Sequence, residues 1–290
     1  MVSNMRIKHR LVIYARGDDL GILNYLHRQG VKKTSQSDIS FSIELFEDQD
    51  NFDAVMRGIE SYNVVRNSPE SVYTHEEIST AKWLTIRSSW RSLYPHPRDD
   101  FGFSFTTYDG TNYCVKAKES DGGFYWCGSG LVQKESFVLE KEPNWGPRNF
   151  LMINCVEDEL FISSKAETVL RSSDLIGYDI QDVMNKKGNV MNGVKQLFVK
   201  NYLEEGLCEN AIEEKLTCPK CGFIKYIPKA GANCFRKEIF SGVEDDVIKT
   251  KEKFGGIYCF SLIIVTHRFY EVNTKAKLDR GLVFEPVELI

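Results

Sequence analysis

Ile257-Tyr-Cys-Phe-Ser-Leu-Ile-Ile-Val265 is an apolar, strand-like run, and the residues after it decide how the chain is read. From about His267 to Lys277 the pattern suits a helix, Gly281 stops it, and Leu282 to Val287 returns to a strand. The same plan occurs earlier. Phe150-Leu-Met-Ile-Asn-Cys-Val156 reads as a strand, Ser164-Lys-Ala-Glu167 as a capping box opening a short helix, Gly177 as its stop, and Tyr178 to Val183 as the second strand. Each copy also follows a Cys-Gly pair, Cys127-Gly128 in the first and Cys221-Gly222 in the second. Either the segment was duplicated, or a common unit occurs twice.

Upstream, Leu11-Val-Ile-Tyr14 reads as a strand, and Asp18 or Asp19 suits the cap of a helix running to Arg28 and ended by Gly30. Ile39-Ser-Phe-Ser-Ile-Glu-Leu45 alternates strictly, which puts one face on a core. Phe52, Val55, Met56 and Ile59 then fall on one helical stripe. These elements make a βαβα unit over residues 1–70, ending near a turn at Asn67-Ser-Pro69. Thr74 and Glu77 have capping-box spacing, with Ile78, Ala81 and Leu84 carried inward by the helix that follows. Phe101, Phe103 and Phe105 alternate like a strand, and Tyr113 to Gly130 looks like an extended hairpin or loop. The expected fold is α+β (mixed α/β): the N-terminal unit plus a body over residues 71–290.

At 290 residues, with 42% hydrophobic, 12% aromatic and 27% charged side chains, the chain can bury a large core without metal or disulfides. The formal charge of −4, from 37 basic and 41 acidic residues, does not attract phosphate polymers or anionic lipid as a whole. No run approaches a membrane span and Met1 to Arg10 lacks the apolar stretch of a signal peptide, so a cytoplasmic location is expected. The eight cysteines should then be reduced thiols, with Cys155 and Cys259 packed in the core.

Cys218-Pro219-Lys220-Cys221-Gly222 is the sharpest motif. Two thiolates at this spacing can face one tetrahedral ion, and glycine lets the backbone turn tightly beneath them. A zinc knuckle, an empty knuckle and a redox pair are the alternatives. The redox reading is weakened because Gly222 and Pro228 suggest a hairpin, whereas a thioredoxin-like motif opens a helix. The second half of a metal site must come from Cys114, Cys127, Cys208, Cys234 or a histidine. Cys127 suits it best, followed by Gly128 and Gly130 in the same manner, and Cys114 lies just upstream in the same stretch. Lys220 and Lys225 are near enough in sequence to offset thiolate charge.

The five histidines, His9, His27, His75, His96 and His267, show no metal-binding spacing and read as surface or capping residues. No nucleophile elbow, Walker loop or dinucleotide fingerprint is present. The acidic groups Asp99-Asp100, Glu157-Asp158-Glu159 and Asp245-Asp246 could serve a hydrolase as acid and base, but read more simply as solvated loop charges. Lys215 to Lys229 holds four lysines with Phe223 and Tyr226 interleaved. That composition suits either a nucleic-acid patch or a structural knuckle.

The CxxCG knuckle, Phe254-Gly255, the strand ending Ile264-Val265, Arg268-Phe269 and Leu282-Val-Phe-Glu-Pro286 together resemble the bacterial double-CxxCG-motif proteins, a group associated with immunity proteins of polymorphic toxin systems. The likeness covers residues 110–290. The first motif departs from the pattern by keeping only Cys127 at CxxC spacing. The resemblance implies a protein that binds and neutralises another protein, a cognate toxin, with structural Zn2+ held by Cys218, Cys221 and Cys127, and no turnover. Cys114 completes the expected set of ligands. The other readings are a zinc-ribbon nucleic-acid binder and a hydrolase with scattered site residues. Trp83, Trp90, Arg91, Trp145 and Arg148 are candidate anchors for a protein partner.

Overall fold

The computed structural model describes residues 5–14, 20–60, 64–96, 108–109, 114–118, 124–130, 132–231, 233–256 and 259–290, with the backbone alone at 20, 64–68, 108–109, 114–118 and 124–126. The chain is mixed α+β and divides into two compact units, Met1–Glu77 and Ile78–Ile290. The first unit runs β1 (Arg6–Tyr14), α1 (Leu20–Arg28), β2 (Lys33–Gln36), β3 (Ser40–Phe46), α2 (Phe52–Ile59) and β4 (Val64–Val72). Its sheet order β2-β3-β1-β4, antiparallel throughout, is the ferredoxin-like arrangement of two interleaved split β-α-β units.

The alternation in β3 has the consequence expected of it. Phe41, Ile43 and Leu45 join Leu11 and Ile13 of β1 against Ile22 and Leu26 of α1 and Val55 and Ile59 of α2. Gly30, at φ +73°, ends α1: its amide bonds His27 O and the next amide, of Val31, bonds Leu26 O. The expected caps Asp18 and Asp19 lie outside the described residues. Asn67-Ser-Pro69 is not a turn but part of β4, an edge strand, where a proline is tolerated. His9 is likewise no surface residue; it is buried, 2.8 Å from Glu47 Oε1 through Nε2.

The helix α3 (His75–Thr80) crosses the division. The capping box forms as expected, with Thr74 N donating to Glu77 Oε2 and Glu77 N to Thr74 Oγ1. Leu84, however, belongs to a strand. The body continues through β5 (Trp83–Ser88), β6 (Tyr108–Asp109), β7 (Cys114–Lys118), β8 (Phe124–Ser129), β9 (Val132–Gln133), β10 (Val138–Leu139), β11 (Phe150–Leu151), β12 (Leu160–Ile162) and α4 (Ser164–Ser172). Next come β13 (Tyr178–Asn185), β14 (Val190–Val199), β15 (Tyr202–Leu203), β16 (Ile212–Thr217), β17 (Ile224–Pro228), β18 (Cys234–Phe235) and β19 (Val247–Thr250). The last elements are β20 (Ile263–Thr266), α5 (His267–Lys275), β21 (Leu282–Pro286) and β22 (Glu288–Leu289). The run of phenylalanines from 101 to 105 lies outside the described residues.

Two five-stranded sheets carry the two strand-helix-strand units, in the orders β10-β13-β14-β12-β11 and β15-β19-β20-β5-β21. In each unit the strands flanking the helix are separated by a third that is antiparallel to both: β14 between β12 and β13, β5 between β20 and β21. The hydrogen bonds also match. Ser163 caps α4 and donates its Oγ to Asn149 Oδ1 while its amide bonds Asn149 O; Thr266 caps α5 and makes the same two bonds to Asp246. The cap of α4 is therefore Ser163, one residue before the Ser164 of the expected box. The carbonyl of Gly177 accepts from Lys200 N, just past β14, and that of Gly281 from Ser89 N, just past β5. Both glycines have positive φ, +101° and +89°. Such repetition favours the duplication reading.

One core within the body joins its two strand-helix-strand segments: Leu160, Ile162, Leu197 and Phe150 from one sheet, Ile86, Ile263, Val265 and Phe284 from the other, with Ala166 and Leu170 of α4 and Phe269 of α5. Close by, Gly177 approaches β19 so tightly that an added Cβ would lie 2.3 Å from Val247 O. The sheets are also joined by charge. Lys249 Nζ of β19 donates to Glu159 Oε1 at 2.5 Å, and Gln196 Nε2 of β14 donates to Glu159 Oε2 at 2.9 Å. Glu159 and Asp246, expected as solvated charges, are thus buried structural acids.

The strand readings around Cys155 and Cys259 need correcting: the strand that leads into α4 is β12, not residues 150–156, which contribute only the edge strand β11, and the second reading needs shortening. Regular pairing in the first stops at Leu151 and in the second begins at Ile263, and Cys155 sits in a turn at φ +68°. Both thiols are half-buried and pack against a second apolar cluster that includes Phe137, Leu151 and Phe161.

Candidate metal centre

The knuckle occupies the tip of the β16–β17 hairpin. Cys218 N donates to Phe223 O and Gly222 N to Cys218 O, both at 2.8 Å, so the motif is a hairpin turn with no helix behind it. This removes the structural setting that a thioredoxin-like redox motif requires. Gly222 lies at φ +75° with open space where a Cβ would point, so conformation alone selects glycine there. Gly128, after Cys127, adopts φ +70° at the end of β8 in the β7–β8 hairpin, so the Cys-Gly pairs share one local geometry.

The two hairpin ends bring Cys127, Cys218 and Cys221 together, with the three sulfurs within 4.8 Å of one another. Cys127 Sγ and Cys221 Sγ are 3.5 Å apart. A disulfide needs ~2.05 Å, whereas two sulfurs at ~2.3 Å from a tetrahedral zinc lie ~3.8 Å from each other. The donor set therefore fits a thiophilic metal ion. Cys127 and Cys218 are buried under Phe223, and Cys221 is exposed.

Three of the four expected ligands are thus assembled. For Cys114 the structure describes the backbone, which lies on β7 opposite Ser129 of β8, two residues beyond Cys127. Its side chain lies outside the described part of the chain. Cys208 and Cys234, which were open alternatives, sit together in a separate cluster with Ala211.

Lys225 is buried at 1% exposure and donates Nζ to Gly256 O at 2.6 Å. Burial pushes its pKa down, and the sulfurs of Cys259, Cys127 and Cys218 push it back up, so its ammonium is placed to balance thiolate charge. Lys220 is exposed. Lys215 pairs with Glu209 at 2.8 Å. Of the four lysines in this basic stretch, Lys225 is inside the protein and Lys215 is in a surface ion pair, while Lys220 and Lys229 are exposed.

The acids around the body's sheets have structural partners. Glu157 meets Arg91, and burial, opposed by that arginine, raises its pKa. Asp158 accepts from Ser261 N at 3.1 Å, and Asp246 accepts from Ile176 N and Thr266 Oγ1. Asp99 and Asp100 lie outside the described residues. Of the candidate anchors, Trp83 is core, packed on Phe240, and Arg91 is tied to Glu157. Trp90 and Trp145 meet edge to face at 5.6 Å and are only partly buried, with exposed Arg148 stacked on Trp90 at 5.2 Å.

No protein-family model matches the chain, and no curated protein matches it. Among the described residues, no helix is long and apolar enough to cross a membrane.

Proposed function

We propose that this protein is a cytoplasmic protein-binding module with a structural zinc centre, and that it acts as an immunity protein neutralising a cognate toxin. The observation that carries the reading is the convergence of the Cys218–Gly222 hairpin turn and the Cys127-Gly128 end of β8 on one cluster of three sulfurs. Cysteine thiolates are the usual ligands of structural zinc, and with Cys114 as fourth ligand the ion has no open position for water. Zinc then acts as a staple between the β7–β8 and β16–β17 hairpins. The sequence likeness to double-CxxCG proteins supplies the immunity role, and the partly exposed Trp90, Trp145 and Arg148 have the composition of an interface hot spot.

A toxin encoded beside this gene should co-purify with the protein, bury a standard-sized interface of ~1,600 Å², and lose its toxicity on co-expression. If the pair neither associates nor restores growth, and the isolated protein retards a DNA or RNA probe at physiological salt, the nucleic-acid reading replaces this one.

A further inference from the structure

Cys208 and Cys234 are opposed across a short antiparallel bridge. Leu207 pairs with Phe235, Cys208 N donates to Cys234 O at 3.0 Å, and Arg236 N donates to Gly206 O at 2.8 Å. Those two bonds flank the Leu207–Phe235 pair and put the cysteines directly opposite each other. At such positions the Cα atoms lie ~5.5 Å apart, inside the ~4.4–6.8 Å span of disulfides. The thiols sit in one small buried cluster with Ala211, and they are only 7% and 1% exposed. The enclosed segment is residues 209–233, which is the whole hairpin that carries Cys218 and Cys221, with Lys229 N bonding Ala211 O at its root.

We propose that Cys208 and Cys234 are a disulfide-forming pair that closes the base of the knuckle hairpin, independently of whether the knuckle holds metal. The oxidant is a small-molecule disulfide. The thiolate of Cys208, the more exposed of the two, attacks one of its sulfurs, forming a mixed disulfide and expelling one small thiol. Cys234 then attacks the sulfur of Cys208 and expels the second. Two protein thiols become one disulfide, and the small-molecule disulfide takes up the two electrons and two protons as two thiols. Burial first, then the neighbouring Cys208 and the charge of Glu288 opposite on β22, push the Cys234 thiol up to about 12, so the reduced pair is slow to react at neutral pH and reacts faster in alkali.

The test uses the full protein as purified, incubated with oxidised glutathione at about pH 7 and about pH 9, blocked with an alkylating agent and mapped by mass spectrometry without reduction. The expected result is a cross-link between the Cys208 and Cys234 peptides, ~2 Da lighter than the two reduced peptides together, accumulating faster at the higher pH, whatever forms among the knuckle cysteines. A urea-unfolded sample run alongside establishes that the oxidant is active. A folded protein that gives no Cys208–Cys234 link, or that links either cysteine to a different one, overturns the proposal. So does a link that forms no faster at the higher pH.

Discussion

Replacing Lys249 with methionine should destabilise the body by leaving a carboxylate stranded. The ammonium sits 2.5 Å from Glu159 Oε1, and the two side chains are 3% and 7% exposed. Methionine nearly conserves the stem, so the packing change is small. What remains is a buried Glu159 held by Gln196 Nε2 alone. Breaking a buried pair from one side costs about 3–5 kcal/mol, or roughly 6–20 °C in Tm for a unit of this size. The sign of the pH dependence follows from Glu159, which burial pushes up against the opposing charge of Lys249. Without that lysine it rises further. A carboxyl with a folded pKa above its unfolded one binds more protons folded, so stability falls as pH rises through that window. The deficit should therefore be larger near pH 8 than near pH 5, because taking up a proton removes the stranded charge. Urea melts at those two pH values, with unchanged m, measure it. The double variant E159Q/K249M should recover most of the loss. A deficit below ~1 kcal/mol at pH 8, or an equal one at both pH values, refutes this account of a stranded charge.

About one zinc per chain should accompany protein purified without added metal, and Cys221→Ser and Cys114→Ser should each release it; a metal-free reduced protein, or a C114S protein that keeps its zinc under chelator like the parent, contradicts the four-thiolate centre. Chelation should speed hydrogen exchange in 124–130 and 212–228 while the first unit stays protected, and uniform change over the chain would count against the staple. Gly177→Ala should cost ~2–4 kcal/mol, because a positive φ adds to a backbone contact that cannot yield. Gly281→Ala should cost less, since its Cβ would meet only the flexible side chain of Arg148 at 3.2 Å. Equal losses in urea melts would show that the close approach to Val247 does not matter.

The sequence displayed whatever had a local period or a local turn. The alternation of Phe41, Ile43 and Leu45, the stripe on α2 and the Thr74–Glu77 box all report short-range geometry, and each is found in place, whereas Gly177 and Gly281 open β13 and β21 and do not stop the helices, which end earlier at Ser172 and Lys275. The centre was legible for the same reason, because a Cys-Gly turn is written in adjacent residues. What stayed hidden depends on distant parts of the chain. β5 and β14, the middle strands of the two units, lie outside the contiguous strand-helix-strand segments they complete, and Trp83–Ser88 follows a helix closely enough to read as its continuation. β2 is four exposed polar residues with no apolar face to mark it. Glu159 and Asp246 look like surface acids until Lys249 and Thr266 arrive from elsewhere in the sequence.

The place of β5 also sets the order in which the body can be completed on the ribosome. Its two hydrogen-bonded neighbours, β20 and β21, begin at Ile263 and Leu282, so Trp83–Ser88 emerges about 175 residues before the first of them. At ~5–20 residues per second that is a wait of roughly 9–35 s. Meanwhile β11, β12, α4, β13 and β14 can all assemble behind it. The first strand-helix-strand segment is therefore an insertion that finishes while its host is still half made, and the nascent chain must shield the apolar edge of β5 until its last strand is translated.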